Sequence, residues 1–460
     1  MSKKSSKADA QKARRRCNGT IVVIVTVLVA LISYVLYNVL IGAHPAEILS
    51  LPTPQKVGRY KMNISTSYRE IADQRRPCVL TGTIVDRWRA RTEWSTEFLK
   101  KRIPHVMAYR QESQRIFTTF HDGKPLEPLV NEKWEDYNIK VNTTLEIVLG
   151  KPGLDAVEQG PYLYYSEKVA DLKRSVFQNI LDYIQPIKDL ILSEESVQVN
   201  LWVGRKGIVT NTHYDMTYNF FVQLQGKKHF TLFPPNAQLY LYPCLHPHYG
   251  HSQVDILSPD LTKYPLYSNA SVYTAVLGPG DMLTVPPFWL HHVETLEESV
   301  SVNVWSDSPE YATINDIYSK PIPFEEEWGL HDRVFALRIY LGILLTSLTN
   351  DDPEIFLLQL TKQRYEWLVL SGNIHVNRIV LSQLRMLCNS EDTDSYKHED
   401  RDKLVKKFKE NVARIAPLFN ELSKHGTCEL LIGNYIEHLV HTVLGIDYVF
   451  AYLSNCYSTL

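Results

Sequence analysis

Between Val197 and Trp305 the chain is cut into short apolar runs, and this limits its fold more than any other feature. The runs are VQVNLWV (197–203), GIVTNTHYD (207–215), YNFFVQLQ (218–225), KHFTLFP (228–234), VYTAVLG (272–278), MLTVPP (282–287), HHVETL (291–296) and SVSVNVW (299–305). They are rich in β-branched and aromatic residues and too short for helices. Glycine and proline punctuate them, at Gly226 and in the turn GPGD (278–281). Many closely spaced short strands predict a double-stranded β-helix, a jelly-roll or cupin barrel. Twenty-seven tyrosines and eight tryptophans suit such a β-rich core better than a helical repeat. Residues 235–271 read as an irregular loop.

The flanks have other periods. Tyr68 to Arg102 predicts a helix, a short strand at Cys78–Leu80 and a second helix entered at WSTE, with Ser95 placed as a cap. Strands are expected within 105–150, TTLEIVLG (143–150) included, and a helix over 167–192. Beyond Phe324 the period is helical. Asp352 and Pro353 open a helix that Gly372 closes, and further helices fit 374–388, 402–425 and 428–453. The acidic stretch NSEDTDSYKHEDRD (389–402) separates two of these and reads as mobile.

The first sixty residues differ again. Thr20 to Ala43 carries no charge, and about 20 apolar residues suffice to cross a bilayer. Seven basic residues (Lys3, Lys4, Lys7, Lys12 and Arg14 to Arg16) precede it against one acid, Asp9. By the positive-inside rule this predicts a type II single-pass protein whose bulk is lumenal, in the endoplasmic reticulum or Golgi, or extracellular. The organisation expected is a basic cytoplasmic tail (1–19), a transmembrane signal-anchor (20–43), a linker (44–66), a β-barrel domain (67–320) and a helical region (321–460). Sequons at Asn63, Asn142 and Asn269 are compatible with a glycoprotein on that side. Cys17 beside the span is open to acylation. Cys78, Cys244, Cys388, Cys428 and Cys456 allow at most two disulfides, and no C-x-x-C metal knuckle occurs. A formal charge of −2 gives no field pointing to nucleic acid as a partner.

The chemistry concentrates at His213 and Asp215. Two residues apart on a strand, they project from one face. Two imidazoles and a carboxylate on one face of a metal, with open positions opposite, make the site of a non-haem Fe(II) oxygenase. A third ligand must then come from another strand, and His291 and His292 stand at the start of one. His229, His246, His248 and His251 read as loop or surface residues.

The block from His213 to Trp305 resembles the JmjC/cupin-like 2-oxoglutarate oxygenases, and most of all the factor-inhibiting-HIF type of hydroxylase. The shared residues are HYD (213–215), NFF to LFPP (219–235), SQVD (252–255), GPGD (278–281), PFWLHHVE (287–294) and NVW (303–305), with RPCVLTGTIVDRW (76–88) and WSTEFL (94–99) at the domain's entrance. The resemblance covers roughly 70–310. It implies His213, Asp215 and His291 as metal ligands, with His292 a packed neighbour. Lys228 would bind the distal carboxylate of 2-oxoglutarate. Thr210, Asn219, Asn303 and Tyr162 would line the co-substrate pocket, with Tyr164 the rival to Tyr162, and Trp305 would wall the metal. It further implies Fe(II), 2-oxoglutarate and O2, ascorbate as a reductant, a protein side chain as substrate, and a homodimer formed through the C-terminal helices. Asp215 excludes a halogenase-type site. The glutamine by which that type holds a target asparagine is replaced here by His251, so asparagine is not carried over. Two other functions stay open: a non-catalytic cupin scaffold of the secretory pathway, and an N-methyl demethylase.

Overall fold

The computed structural model describes residues 50–63, 67–111, 116–117, 139–150, 160–172, 185–192, 197–241, 250–325, 327–349, 352–371, 378–389, 398–422, 427–445 and 448–457. The chain divides into the units Met1–Ser50 and Leu51–Leu460, and every element below belongs to the second. The expected span at 20–43 and the acidic stretch at 390–397 lie outside the described residues. Among the described residues no helix is long and apolar enough to cross a membrane.

The strands are β1 (Gln55–Lys56), β2 (Arg59–Lys61), β3 (Cys78–Thr81), β4 (His105–Gln111), β5 (Ile116–Phe117), β6 (Ile139–Thr144), β7 (Tyr162–Lys168), β8 (Val197–Gly204), β9 (Val209–His213), β10 (Thr217–Gln225), β11 (Lys228–Phe233), β12 (Tyr273–Leu277), β13 (Met282–Val285), β14 (Leu290–Thr295) and β15 (Ser299–Asp307). They form two sheets, ordered β1-β12-β11-β14-β9-β5 and β2-β3-β13-β10-β15-β8-β7-β4-β6. The last eight strands are shared four and four between the sheets, consistent with the cupin jelly roll. One segment joins the free sides of both sheets. Val57 donates to Thr274 of β12, and the Gly58 carbonyl accepts from Val79 of β3.

The alternation along the large sheet runs opposite to that of a surface sheet. In β10 and β15 the apolar residues Tyr218, Phe220, Val222, Leu224, Val300, Val302 and Val304 turn outward. There they pack on Trp88, Trp94 and Leu99 of the N-terminal helices. The inward set of β15 is Ser299, Ser301, Asn303 and Trp305, and Ser299, Ser301 and Asn303 are all buried. Two-sided cover makes these strands buried along nearly their whole length. On the small sheet Phe230, Leu232, Leu277 and Val293 close the barrel interior with Phe221 and Leu283.

The N-terminal helices are α1 (Tyr68–Asp73), α2 (Arg89–Glu93), α3 (Thr96–Arg102) and α4 (Leu145–Leu149). The Ser95 hydroxyl caps α3 by accepting from the Phe98 N–H, and the full reciprocal box is at Ser67 and Glu70. The C-terminal helices are α5 (Pro309–Ser319), α6 (Leu330–Leu348), α7 (Pro353–Ser371), α8 (Arg378–Asn389), α9 (His398–Leu422), α10 (Cys428–Leu444) and α11 (Val449–Cys456). Their apolar faces share one core with Tyr214, Phe233, Leu241, Phe288 and Leu290 at the barrel's rim. A disulfide ties Cys388 to Cys456 across a Cα–Cα distance of 5.1 Å.

Several expectations are corrected. TTLEIVLG is not all strand: the Thr144 hydroxyl caps the Ile147 N–H, so Leu145–Leu149 is a helix ended by Gly150 at φ 71°. Glu167 and Lys168 finish β7, and 3-10 turns cover Val169–Asp171 and Gln185–Leu190, while 173–184 lies outside the described residues. The expected loop at 235–271 contains 3-10 turns at Pro235–Leu241 and Pro265–Asn269. The expected helix 428–453 breaks at Gly445, whose φ is 101°.

The turn at Gly226 sets the register that carries Lys228 inward. Its φ is 69°, and a Cβ there would lie 2.0 Å from the Glu298 carbonyl oxygen. Gly226→Ala is therefore expected to destabilise the fold by roughly 2–3 kcal/mol, read as a lower urea midpoint at unchanged slope.

Candidate metal centre and its cavity

Antiparallel pairing of β9 with β14 sets His291 directly against His213, and the two rings lie 4.3 Å apart between centroids. Between them and the next matched pair, Val293 with Thr210, the register slips: β9 spends three residues where β14 spends two. Thr210 and His213 are an odd number of residues apart and would face opposite sides of a regular strand. The bulge brings both into one cavity. His292 falls at the slip and is buried on the other side, with its Nδ1 3.4 Å from the Thr212 hydroxyl.

Asp215 is not on the strand with His213, as the spacing suggested, but in the turn that follows it. The turn is held. Its carbonyl accepts from the Phe288 N–H at 2.8 Å, and Phe288 takes a left-handed φ of 65° to reach it. A bulky residue in that conformation is rare and strained. The carboxylate accepts from Trp305 Nε1 at 3.1 Å and from Asn219 Nδ2 at 3.5 Å. Its Oδ2 is 3.7 Å from His291 Nε2.

One ligand atom from each of His213, Asp215 and His291 lies within 4.8 Å of the others. The imidazoles are preset for a cation. His213 Nδ1 donates to the Asn211 carbonyl at 2.7 Å and His291 Nδ1 to the Trp289 carbonyl at 3.0 Å. A carbonyl only accepts, so each Nδ1 carries the proton and each Nε2 lone pair faces its neighbours. Burial, and then the nearby His213, push the His291 pKa down to about 4 against the pull of Asp215. The ring is thus neutral and able to ligate at physiological pH. This donor set fits Fe(II).

The same cavity, about 270 Å³, ends at Lys228. Lys228 is 1% exposed, and its Nζ donates to the Tyr164 hydroxyl at 2.9 Å. The Tyr164 phenol also meets Thr210, and burial raises its pKa. Burial alone pushes the Lys228 pKa down to about 7, and no described carboxylate neutralises it. Lys227 is outside, paired with Glu297. Asn303 Oδ1 accepts from Trp202 Nε1 at 2.6 Å and from Asn200 Nδ2 at 3.4 Å, which leaves its buried Nδ2 without a partner. The Asn219 Oδ1 is buried and unpartnered too. An uncompensated cation and an orphaned donor in one cavity fit an anionic ligand with a second polar end, such as 2-oxoglutarate.

The tyrosine that reaches Lys228 is Tyr164 rather than Tyr162. Both project from one face of β7, but Tyr162 lies toward the strand's start, where Arg205 stacks over its ring. Tyr164 pairs with Gly204, and a Cβ there would lie 3.0 Å from its ring. That glycine makes room for the Tyr164 ring, but only the strand register pairs the two. His251, which the resemblance sets where that type holds its target and which otherwise reads as a loop residue, lies at the site. The Ser252 N–H donates to the Thr212 carbonyl and the Tyr214 N–H to the Gly250 carbonyl. This short bridge stacks His251 on His213 at 5.6 Å between centroids and puts it in the cavity wall.

A lysine whose folded pKa is below its unfolded one binds fewer protons when folded, so its burial penalty is full below about pH 7 and fades as pH rises toward the unfolded value near ~10.4. Replacing it with an apolar side chain of similar length removes the penalty. Lys228→Met is expected to raise the melting temperature of the ligand-free protein, by more at pH 6 than at pH 9. Calorimetric scans at the two pH values check this.

The comparisons with known proteins agree with the β-rich fold. The cupin-like domain family matches residues 65–311. JmjC domain-containing protein D of Dictyostelium discoideum is 39% identical over 111 residues, 24% of this chain and 25% of that one. Lysine-specific demethylase 8 of Xenopus tropicalis is 29% identical over 236 residues, 50% of this chain and 48% of that one. tRNA wybutosine-synthesizing protein 5 of Mus musculus is 29% identical over 266 residues, 54% of this chain and 78% of that one. The chain thus spans between a quarter and a half of the first two relatives. With more than half of its length inside the family's match, the chain belongs to the family of cupin-like, JmjC-type domain proteins.

Proposed function

We propose that this protein is a 2-oxoglutarate- and Fe(II)-dependent dioxygenase that hydroxylates a protein side chain. The observation that carries the reading is the pairing, in one cavity, of a preset His213–Asp215–His291 set with a buried, unneutralised Lys228. In the balanced reaction 2-oxoglutarate, O2 and a substrate C–H become succinate, CO2 and a C–OH.

The bound Fe(II) supplies the redox chemistry that activates O2 at the expense of the keto acid. The residues do the rest. His213 and His291 offer Nε2 while the Asn211 and Trp289 carbonyls fix their tautomers. Trp305 and Asn219 hold the Asp215 carboxylate in orientation. Lys228, with the Tyr164 and Thr210 hydroxyls, takes the remote carboxylate, and the free Asn303 Nδ2 donates to the same ligand. The relatives' names include a demethylase and a tRNA-modifying protein, so hydroxylation rests on the resemblance to the hydroxylase type alone, and the test reads formaldehyde as well.

Membrane attachment through 20–43, with the barrel on the lumenal or extracellular side, is part of the proposal. The charge-free run and its basic flank support it, as does the Cys388–Cys456 disulfide, since such bonds persist in oxidising compartments. Asn63 and Asn142 are exposed. Endoglycosidase treatment of the full chain from membranes is expected to increase its gel mobility, and an unchanged mobility together with protease sensitivity from the cytoplasmic side would refute the orientation.

Given Fe(II), ascorbate and 2-oxoglutarate, the full chain is expected to form succinate, and His213→Ala/Asp215→Ala to fall to background. No turnover, together with no 2-oxoglutarate binding that depends on Lys228, returns the protein to a non-catalytic scaffold. Formaldehyde released with the succinate would instead favour demethylation. A second outcome concerns pH. The ligand prefers charged Lys228, whose pKa in the free protein is about 7. The 2-oxoglutarate affinity is therefore expected to fall about tenfold per unit as pH rises beyond that value, with proton uptake seen by titration calorimetry in two buffers.

A further inference from the structure

Tyr214 sits between the ligands His213 and Asp215, and its side chain enters the helical core rather than the barrel. Its phenol oxygen accepts from Asn434 Nδ2 of α10 at 3.1 Å. Asn434 is fully buried, and its Oδ1 accepts from Arg364 of α7 at 2.8 Å. Arg364 pairs with Glu437 at 2.7 Å, and Glu437 also accepts from the Tyr365 hydroxyl. Gly433 makes room for this, since a Cβ there would lie 2.9 Å from the Arg364 guanidinium.

A buried ion pair stabilises a fold little, because desolvation offsets the attraction. What it does here is fix an orientation. With Arg364 donating to Oδ1, the Asn434 amide can present only its Nδ2 to the phenol. Tyr214 is in turn clamped on both sides of the ligands: its N–H donates to the Gly250 carbonyl, and its ring packs at 5.6 Å on Phe288, which holds the Asp215 carbonyl. We propose that Asn434, oriented by Arg364 and Glu437, is a positioning residue for the metal centre, acting through Tyr214 on His213 and Asp215. The C-terminal helices are then a working part of the site. This rests on the triad being a metal site, and the experiment separates the two.

The test uses the full chain and Co(II) as the probe, reading its dissociation constant and visible spectrum beside the melting temperature of the metal-free protein. Tyr214→Phe removes one oxygen and keeps the ring, and Asn434→Leu removes the donor. Tyr340→Phe breaks a comparable buried bond in the same helical region, Tyr340 to Asn411, that is no part of the Tyr214–Asn434–Arg364–Glu437 chain. Tyr214→Phe and Asn434→Leu are each expected to weaken Co(II) binding about tenfold, the lower end of what partners bonded directly to ligands give. The double variant should be no worse than either one, and Tyr340→Phe should change the melting temperature alone. If Tyr214→Phe and Asn434→Leu shift melting but leave the Co(II) constant and spectrum as in the parent, the proposal is overturned. If the parent shows no Co(II) binding that His213→Ala removes, the metal-site reading itself falls and this proposal with it.

Discussion

A lysine ammonium inside a barrel without a counter-charge is the constraint around which the rest is arranged. Lys228 is buried because the Gly226 turn leads into β11 at Lys228, whose inward set is Lys228, Phe230 and Leu232. It stays tolerable because the neighbouring strands offer it the Tyr164 phenol and the Phe221 ring, whose centroid is 5.2 Å away. A cation so placed costs stability in the empty protein. The fold offsets this by burying the outward faces of β10 and β15 against the N-terminal helices, so that much of the apolar core of the large sheet lies outside the barrel.

The ligand set has a similar logic. His213, Asp215 and His291 come from a strand, a turn and a second strand, and none could be aimed by its own element alone. The β9 bulge aims Thr210 and His213 together, and the strained Phe288 ties the Asp215 turn to the run leading into His291. Both are local departures from regular geometry, held where precision is needed.

Much of this was legible in the chain. The strand series, the Gly226 turn and the H-x-D spacing point to the barrel and to two of the ligands, and the resemblance adds His291 and Lys228. What was not legible is what depends on register. Tyr162 and Tyr164 alternate identically, and only the pairing of Tyr164 with Gly204 separates them. His251 joins the site through backbone hydrogen bonds, to which side-chain patterns are blind. In TTLEIVLG the β-branched residues suggest a strand, and the Thr144 cap overrides them. The Arg364–Glu437 pair could not be foreseen, because its residues lie on separate helices that look like ordinary amphipathic or apolar segments.

The stretch from Gln55 to Lys61 adds one short strand to each sheet. An exposed sheet edge is a template on which other chains can assemble, and very short outer strands are one way proteins deny it. Here a single segment of two- and three-residue strands guards an edge of both sheets at once, with Val57 plugged between them. Losing it would open β12 and β3 together. A shortened version of this protein that begins after Lys61 would therefore be prone to aggregate through strand pairing even with the His213–Asp215–His291 set in place, so the seven residues guard solubility.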